Sequence, residues 1–184
     1  MKNLVKAGNF RLMLILAGLC TTMTAGAQLS SKDRQVINDA ATAKAAFIRT
    51  DAGMASRFAN AYGYVIFPNV GKGGIGIGGA AGNGVAYEHG ARVGMAKLTQ
   101  VSVGFQFGGQ SYREVVFFEN KAAMDKFKAN NIEFSAQASA VAVTAGASAN
   151  ASFKDGTMIF TQAKGGLMYE AAIGGQKLKY TKKL

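Results

Sequence analysis

The chain has 184 residues, with 21 Lys+Arg against 10 Asp+Glu, one His, one Cys and one Pro. Such a length suits one domain with a sizeable core. The single His and Cys exclude the usual zinc sites and a disulfide framework. The basic excess points to an anionic partner, such as lipid head groups, nucleic acid or polyanionic glycan, with solubility alone as the plainer reading.

Residues 1–27 have the parts of a secretory signal. Lys2, Lys6 and Arg11 form a positive start, "LMLILAGL" (12–19) is a short apolar core, and Ala25-Gly26-Ala27 offers cleavage after Ala27. The apolar run is short for a membrane span. A periplasmic or secreted protein is therefore expected. A lipoprotein anchor at Cys20 fits less well, because Leu19 stands where such signals carry a small residue. Removing 1–27 takes three basic residues and no acidic ones, which leaves 18 Lys+Arg against 10 Asp+Glu, a formal +8, and no thiol. Export argues against nucleic acid as the anion.

Residues 28–60 read as a helical segment. "SKDRQVINDAATAKAAFIR" (31–49) repeats Val36, Ala40, Ala43 and Phe47 on one face, with Ser31 as N-cap and Asp33 in the first turn. A second short helix is predicted over 52–62, with Met54, Phe58 and Ala61 inward and Gly63 ending it. From Tyr64 the period becomes two. "YVIF" (64–67) is a strand stopped by Pro68. "VSVGFQF" (101–107) alternates, with Val101, Val103, Phe105 and Phe107 on one side. "REVVFF" (113–118) follows, then Asn120 caps a helix bearing Ala123, Met124 and Phe127. Further strands are predicted at 157–163, 166–173 and 177–180. Turns fall at Asn83-Gly84, His89-Gly90, Asp155-Gly156 and Gly174-Gly175. In the Ala/Ser-rich stretch 135–152 only the first half favours a strand. No linker divides the chain, so 61–184 and 28–60 are expected to form a single globular unit.

"GKGGIGIGGAAGNG" (71–84) contains the spacing G-x-G-x-x-G at Gly74, Gly76 and Gly79. A dinucleotide loop would open a helix and carry an acid about twenty residues on. Here a further glycine-rich stretch follows, Glu88 comes too early and Glu114 too late. A Walker loop fails because Gly73 follows Lys72. Parity explains the run better: Gly74, Gly76 and Gly78 share one face of a strand, and Ile75 and Ile77 the other. Such bare faces allow sharp curvature or close backbone approach. A groove admitting an acyl chain or head group is the functional alternative. The expected fold class is α+β, mainly β: a strongly curved antiparallel sheet or small closed barrel, with N-terminal helices and one helix inserted at about 120–130.

"AYGYVIFPNVGKGGIGIGGAAGNGVAY" (61–87), "VSVGFQFGGQSYREVVFFENKAAMDKF" (101–127) and "KGGLMYEAAIGG" (164–175) resemble the SYLF domain family in order and spacing. The resemblance covers roughly Ala61 to Tyr180. It implies lipid binding; eukaryotic members associate with phosphoinositide membranes and some bind actin, an activity not expected of an exported bacterial member. It also implies membrane contact through an amphipathic N-terminal segment and a basic surface. The chain departs from the family after Phe134, where Gln137 and an Ala/Ser run replace an aspartate and a Gly-Pro.

Catalysis finds little support. His89 reads as a turn histidine, no nucleophile and base pair is identifiable by spacing, and no calcium loop is present. No catalytic residue, metal or cofactor is expected. The leading expectation is a non-enzymatic lipid-binding protein of the bacterial periplasm, meeting anionic phospholipid through Lys32, Arg34, Lys44, Arg49, Lys72, Lys177, Lys179, Lys182 and Lys183. The helix at 31–49 is a candidate to lie in the membrane interface, or else to pack on its own sheet. The C-terminal lysines alternatively blunt an edge strand. An envelope protein holding a protein partner is the second function class. An outer-membrane barrel is disfavoured, on short strands, intervening helices and the lack of evident aromatic girdles.

Overall fold

The structure is a computed structural model that describes residues 29–75, 77–103, 110–134, 139–164 and 170–184. The signal-like stretch 1–27 lies outside the described residues. So do Gly76 of the glycine run and 104–109, which hold Phe105 and Phe107 of the strand predicted over 101–107. Residues 135–138, with Gln137, and 165–169, part of the strand predicted over 166–173, lie outside them too.

The described elements run α1 (Ser31–Thr50), α2 (Gly53–Asn60), β1 (Gly63–Ile75), β2 (Ile77–Glu88), β3 (Ala91–Val103), β4 (Gln110–Phe118), α3 (Lys121–Lys128), β5 (Ile132–Glu133), β6 (Ser139–Ala142), a 3-10 turn (Ala147–Asn150), β7 (Thr157–Ala163), β8 (Glu170–Ala172) and β9 (Gln176–Thr181). The fold is α+β, mainly β. Nine strands form one sheet in the order β5-β9-β3-β2-β1-β4-β7-β6-β8. Its pairs are antiparallel except β6 with β7, which is parallel. Among the described residues the sheet curls into an open half-barrel. Its curl brings Gln176 of β9 to Glu114 of β4 across the interior, although three strands separate them in the sheet.

Two apolar clusters lie on the two faces. The concave face buries Val65, Phe67, Leu98, Val116 and Phe118, closed at one end by Met124 and Phe127 of α3. The convex face carries Tyr64, Ile66, Val85, Met95, Phe117 and Phe160 under α1 and α2. Alternation along each strand produces this division, since successive side chains point to opposite faces.

α1 is capped one residue earlier than the sequence suggests. Ser30, not Ser31, is the N-cap: its Oγ accepts from Asp33 N at 3.1 Å while its own N–H donates to Asp33 at 2.7 Å, a reciprocal capping box. α2 stops at Asn60, and Gly63 opens β1 instead of ending the helix. A Cβ at Gly63 would stand 2.9 Å from both Met124 Sδ and Tyr87 O, so close approach explains that glycine.

Pro68 does not stop the strand. β1 continues to Ile75, and its register shifts beside the proline on both neighbouring strands, between Ile66 and Asn69 against β2 and between Phe67 and Val70 against β4. The proline sits at this bulge, where a missing ladder donor is tolerated. Asn83-Gly84 is no turn either; both lie within β2 and pair with β3. The turns at His89-Gly90, Asp155-Gly156 and Gly174-Gly175 are present, with His89 and Asp155 at φ 48° and 49°. Strands β1 to β3 span 13, 12 and 13 residues, longer than the alternation alone suggested. No described helix is long and apolar enough to cross a membrane.

Candidate functional site

The convex face is covered only in part. Beyond Val85 and Met95 the helices no longer bury the sheet, although the Asp39 carboxylate of α1 still accepts from Asn69 Nδ2 at 3.2 Å, and the outward positions become small or polar. Strand register lays them out as a lattice. Asn69, Asn83, Lys97 and Lys179 form one row across four strands. Gly71, Ala81, Thr99, Lys177 and Glu133 form the next. Gly73, Gly79 and Val101 form a third. Val101 is 71% exposed, so the side on which alternation sets it is here the outer one, open to solvent. A Cβ at Gly71 or Gly73 would meet nothing within 4 Å. Those two glycines leave a bare outer surface. Gly84 is different: a Cβ there would lie 2.6 Å from the Phe67 ring.

Lys97 stands directly opposite Lys179, two like charges on adjacent strands. Neither has an ion-pair partner among the described residues. Like charges in register destabilise a sheet, and a counter-anion from outside would relieve them. Lys177 is partly satisfied by Glu133 at 3.2 Å.

The remaining basic residues separate into free and committed groups. Lys183 donates to Asp33 at 2.6 Å, and Arg92 donates to the Lys183 carbonyl at 2.9 Å. The hydrogen bond from Lys183, joined by those from Ser30, holds the Asp33 carboxyl down at about 2. This ion pair pins the C-terminal tail to the start of α1. It thereby brings Lys32 and Arg34 into the neighbourhood of Lys182, all three exposed. Lys44 is committed inward: its Nζ donates to Tyr64 Oη at 3.1 Å and lies over the Phe58 and Tyr64 rings. Arg49 is exposed at the far end of α1, and Lys72 is half-buried on β1. The Lys183–Asp33 pair thus sets Lys182 near Lys32 and Arg34, Lys179 stands instead opposite Lys97, and Lys44 is turned inward.

The apolar stripe of α1 is not available to a membrane. Ala40, Ala43, Ala46 and Phe47 are buried, and Val36, Ile37 and Ile48 pack against the same cluster. The helix therefore covers its own sheet, which is the more common fate of an amphipathic helix.

Two features escaped the sequence reading. One is Lys97, on a strand that carries no strong alternation. The other is a polar group inside the half-barrel. Glu114 is fully buried on the concave face, and its Oε2 accepts from Gln176 Nε2 at 3.1 Å. Glu114 Oε1, Gln176 Oε1 and the hydroxyl of Thr161, the cross-strand neighbour of Glu114, have no hydrogen-bond partner among the described residues. Burial pushes the Glu114 carboxyl up to about 8, against a lowering by Gln176. A lone acid between "R" and "VVFF" gives no hint of this, because its burial depends on a distant strand folding over it. His89 lies in an exposed turn, its ring edge-on to Tyr62 at 4.3 Å. No cluster of three potential metal-ligating residues occurs among the described residues.

Residues 99–183 match the family model described as "Ysc84: Las17-binding protein actin regulator". Over these residues, a little under half of its length, the chain is similar to that family, the SYLF domain family. The match starts near the end of β3 and reaches Lys183, so it takes in Lys177, Lys179 and Lys182, the buried Glu114, and every described strand from β4 to β9. No curated protein matches the chain.

Proposed function

We propose that this chain is a non-enzymatic, exported protein that binds anionic membrane surfaces through the uncovered part of its convex face. The observation that carries the reading is the in-register pair Lys97 and Lys179, without ion-pair partners among the described residues and set in a lattice of Asn, Ala, Gly and Thr. Small neighbours let a planar surface approach the sheet closely. Lys182, Lys32 and Arg34 extend the charge toward the tail, and the Lys183–Asp33 pair keeps that tail in place. Each lysine near an anionic bilayer contributes about 1 kcal/mol. Export rests on the signal-like residues 1–27, which support a periplasmic or secreted location.

The test is co-sedimentation of the purified protein with vesicles of neutral or anionic phospholipid, at low and high salt. Binding to anionic vesicles that salt removes is the expected result, since exposed charges are screened over about 10 Å at 0.1 M. Lys97→Gln with Lys179→Gln should weaken it by more than Lys44→Gln with Arg49→Gln. Equal binding to neutral vesicles would overturn the reading.

A protein partner is the second reading, favoured by the description of the matching family as Las17-binding and by Val101 standing exposed on the same face. Loss of partner capture on Val101→Asp, with vesicle binding retained, would select it.

A further inference from the structure

Among the described residues the half-barrel is open along one seam, and a cavity lies there. On one side β5 pairs only with β9 among the described residues, which leaves its outer edge open. On the other, β6 pairs with β7 at Phe160 and Thr161, so among the described residues the first part of β7 has no strand of the sheet beyond it. Between these edges lies a space of about 680 Å³, within the range of small-molecule sites. Phe134, Ile159 and Ile173, all buried members of the concave core, form the apolar part of its wall, beside Asn131, Asn150, Ser152 and Thr157. Val141, 37% exposed, stands at its opening.

The rim is charged. Lys126 of α3 and Lys154 of the turn before β7 both line the space, and neither has an ion-pair partner among the described residues. Of the two acids present, Glu133 is held by Lys177 at 3.2 Å, and Asp155 lies beside Lys154 on the exposed turn. Counting Lys177 with its partner, the rim retains one net positive charge. An apolar wall with a singly positive rim is complementary to a molecule that is apolar for most of its length and carries one negative charge at an end.

We propose that this cavity binds one single-chain amphiphile with a singly anionic head, such as a fatty acid or an anionic lysophospholipid. The chain lies against Phe134, Ile159 and Ile173, and the head group sits between Lys126 and Lys154. The inference rests on the lipid reading above but uses a different part of the molecule. The convex lysines meet a surface of many lipids, whereas the seam takes one.

The probe is a dansyl-labelled fatty acid titrated into the purified protein, followed by competition with unlabelled palmitate, an anionic lysophospholipid and the uncharged alcohol of equal chain length. Saturable one-to-one binding is expected, displaced by both anionic competitors and less well by the alcohol. Displacement by only one anionic competitor identifies which source the site prefers and still supports it. Lys126→Gln and Lys154→Gln should each weaken binding roughly two- to five-fold, the range of an exposed ion pair. Val141→Trp, at a partly exposed position where folding tolerates change, should block the opening and abolish saturable binding with an unchanged unfolding midpoint. The same variants go through the vesicle assay. Val141→Trp should leave vesicle binding intact, and Lys97→Gln with Lys179→Gln should leave probe binding intact. No saturable probe binding, or binding indifferent to Val141→Trp, overturns the cavity inference even if vesicles still bind. Saturable binding without any vesicle binding sinks only the surface reading.

Discussion

Val85 and Ala81 point to the same side of β2, yet Val85 is buried beneath the N-terminal helices and Ala81 faces water. The same division holds on β3, where Met95 is buried and Lys97 exposed. One continuous face of one sheet thus has two chemistries. The boundary is where α1 and α2 cease to cover it. Under the helices the strands supply Tyr64, Ile66, Val85 and Phe117; beyond them they supply Gly71, Ala81, Lys97 and Lys179. A face that is covered must be apolar and closely fitted. A face left open is free to carry unpaired charge, and here it does.

The comparison can be broken most severely from the covered side. Phe47→Ala removes a fully buried ring between α1 and the sheet, and should cost about 3–5 kcal/mol in denaturant unfolding. Val101→Ser on the open side should stay within about 0.5 kcal/mol. Similar losses for the two would mean that the open side is covered in solution.

Glycine substitutions sharpen the same contrast. Gly84→Ala would drive a methyl to 2.6 Å from the Phe67 ring and 2.7 Å from the Ile66 carbonyl, an overpacking cost of about 1–3 kcal/mol. Gly71→Ala, with open space outside, should change stability by no more than about 0.5 kcal/mol. Thermal midpoints of the two variants decide it.

The concave interior adds a pH dependence of its own. Glu114 has a folded value of about 8 against an ordinary 4.5. Between these values the folded protein keeps a proton that the unfolded chain has released. Stability is therefore fullest below about pH 4.5 and declines as pH rises through 8. Glu114→Gln should flatten that decline while keeping an amide in place of the buried acid. A wild-type stability profile that is level over this window would contradict the burial of the carboxyl.

The smallest effect on stability belongs to the lysine pair. Lys97→Gln relieves the repulsion with Lys179 and should stabilise the fold by about 0.2–0.5 kcal/mol. The same change should cost about 1 kcal/mol of binding to anionic vesicles, near five-fold. A residue whose loss helps folding and harms binding carries a charge kept for a partner.

Much of the architecture was legible along the chain. β7 was read with the residues it has, and α3 with its Asn120 cap and its inward Ala123, Met124 and Phe127. These elements are legible because a local cap or a strict alternation specifies them. The errors cluster where local signals have two meanings. Pro68 and Asn83-Gly84 are strand breakers by type, but a bulge and a tightly packed ladder absorbed them. Val101 alternates as a buried strand residue would, but it stands 71% exposed.

The sequence by itself determined which residues alternate and where charge accumulates. It could not decide which lysines are free. Lys44 and Lys183 look like any other exposed cations until Tyr64 and Asp33 are brought to them from 20 and 150 residues away. Nor could it show that Glu114 is buried or that a cavity lies between Phe134 and Ile159. Those outcomes depend on the curl of the sheet, a sum of twists over nine strands. Local preference sets each twist, but only the assembled sheet decides which side chains meet across the interior.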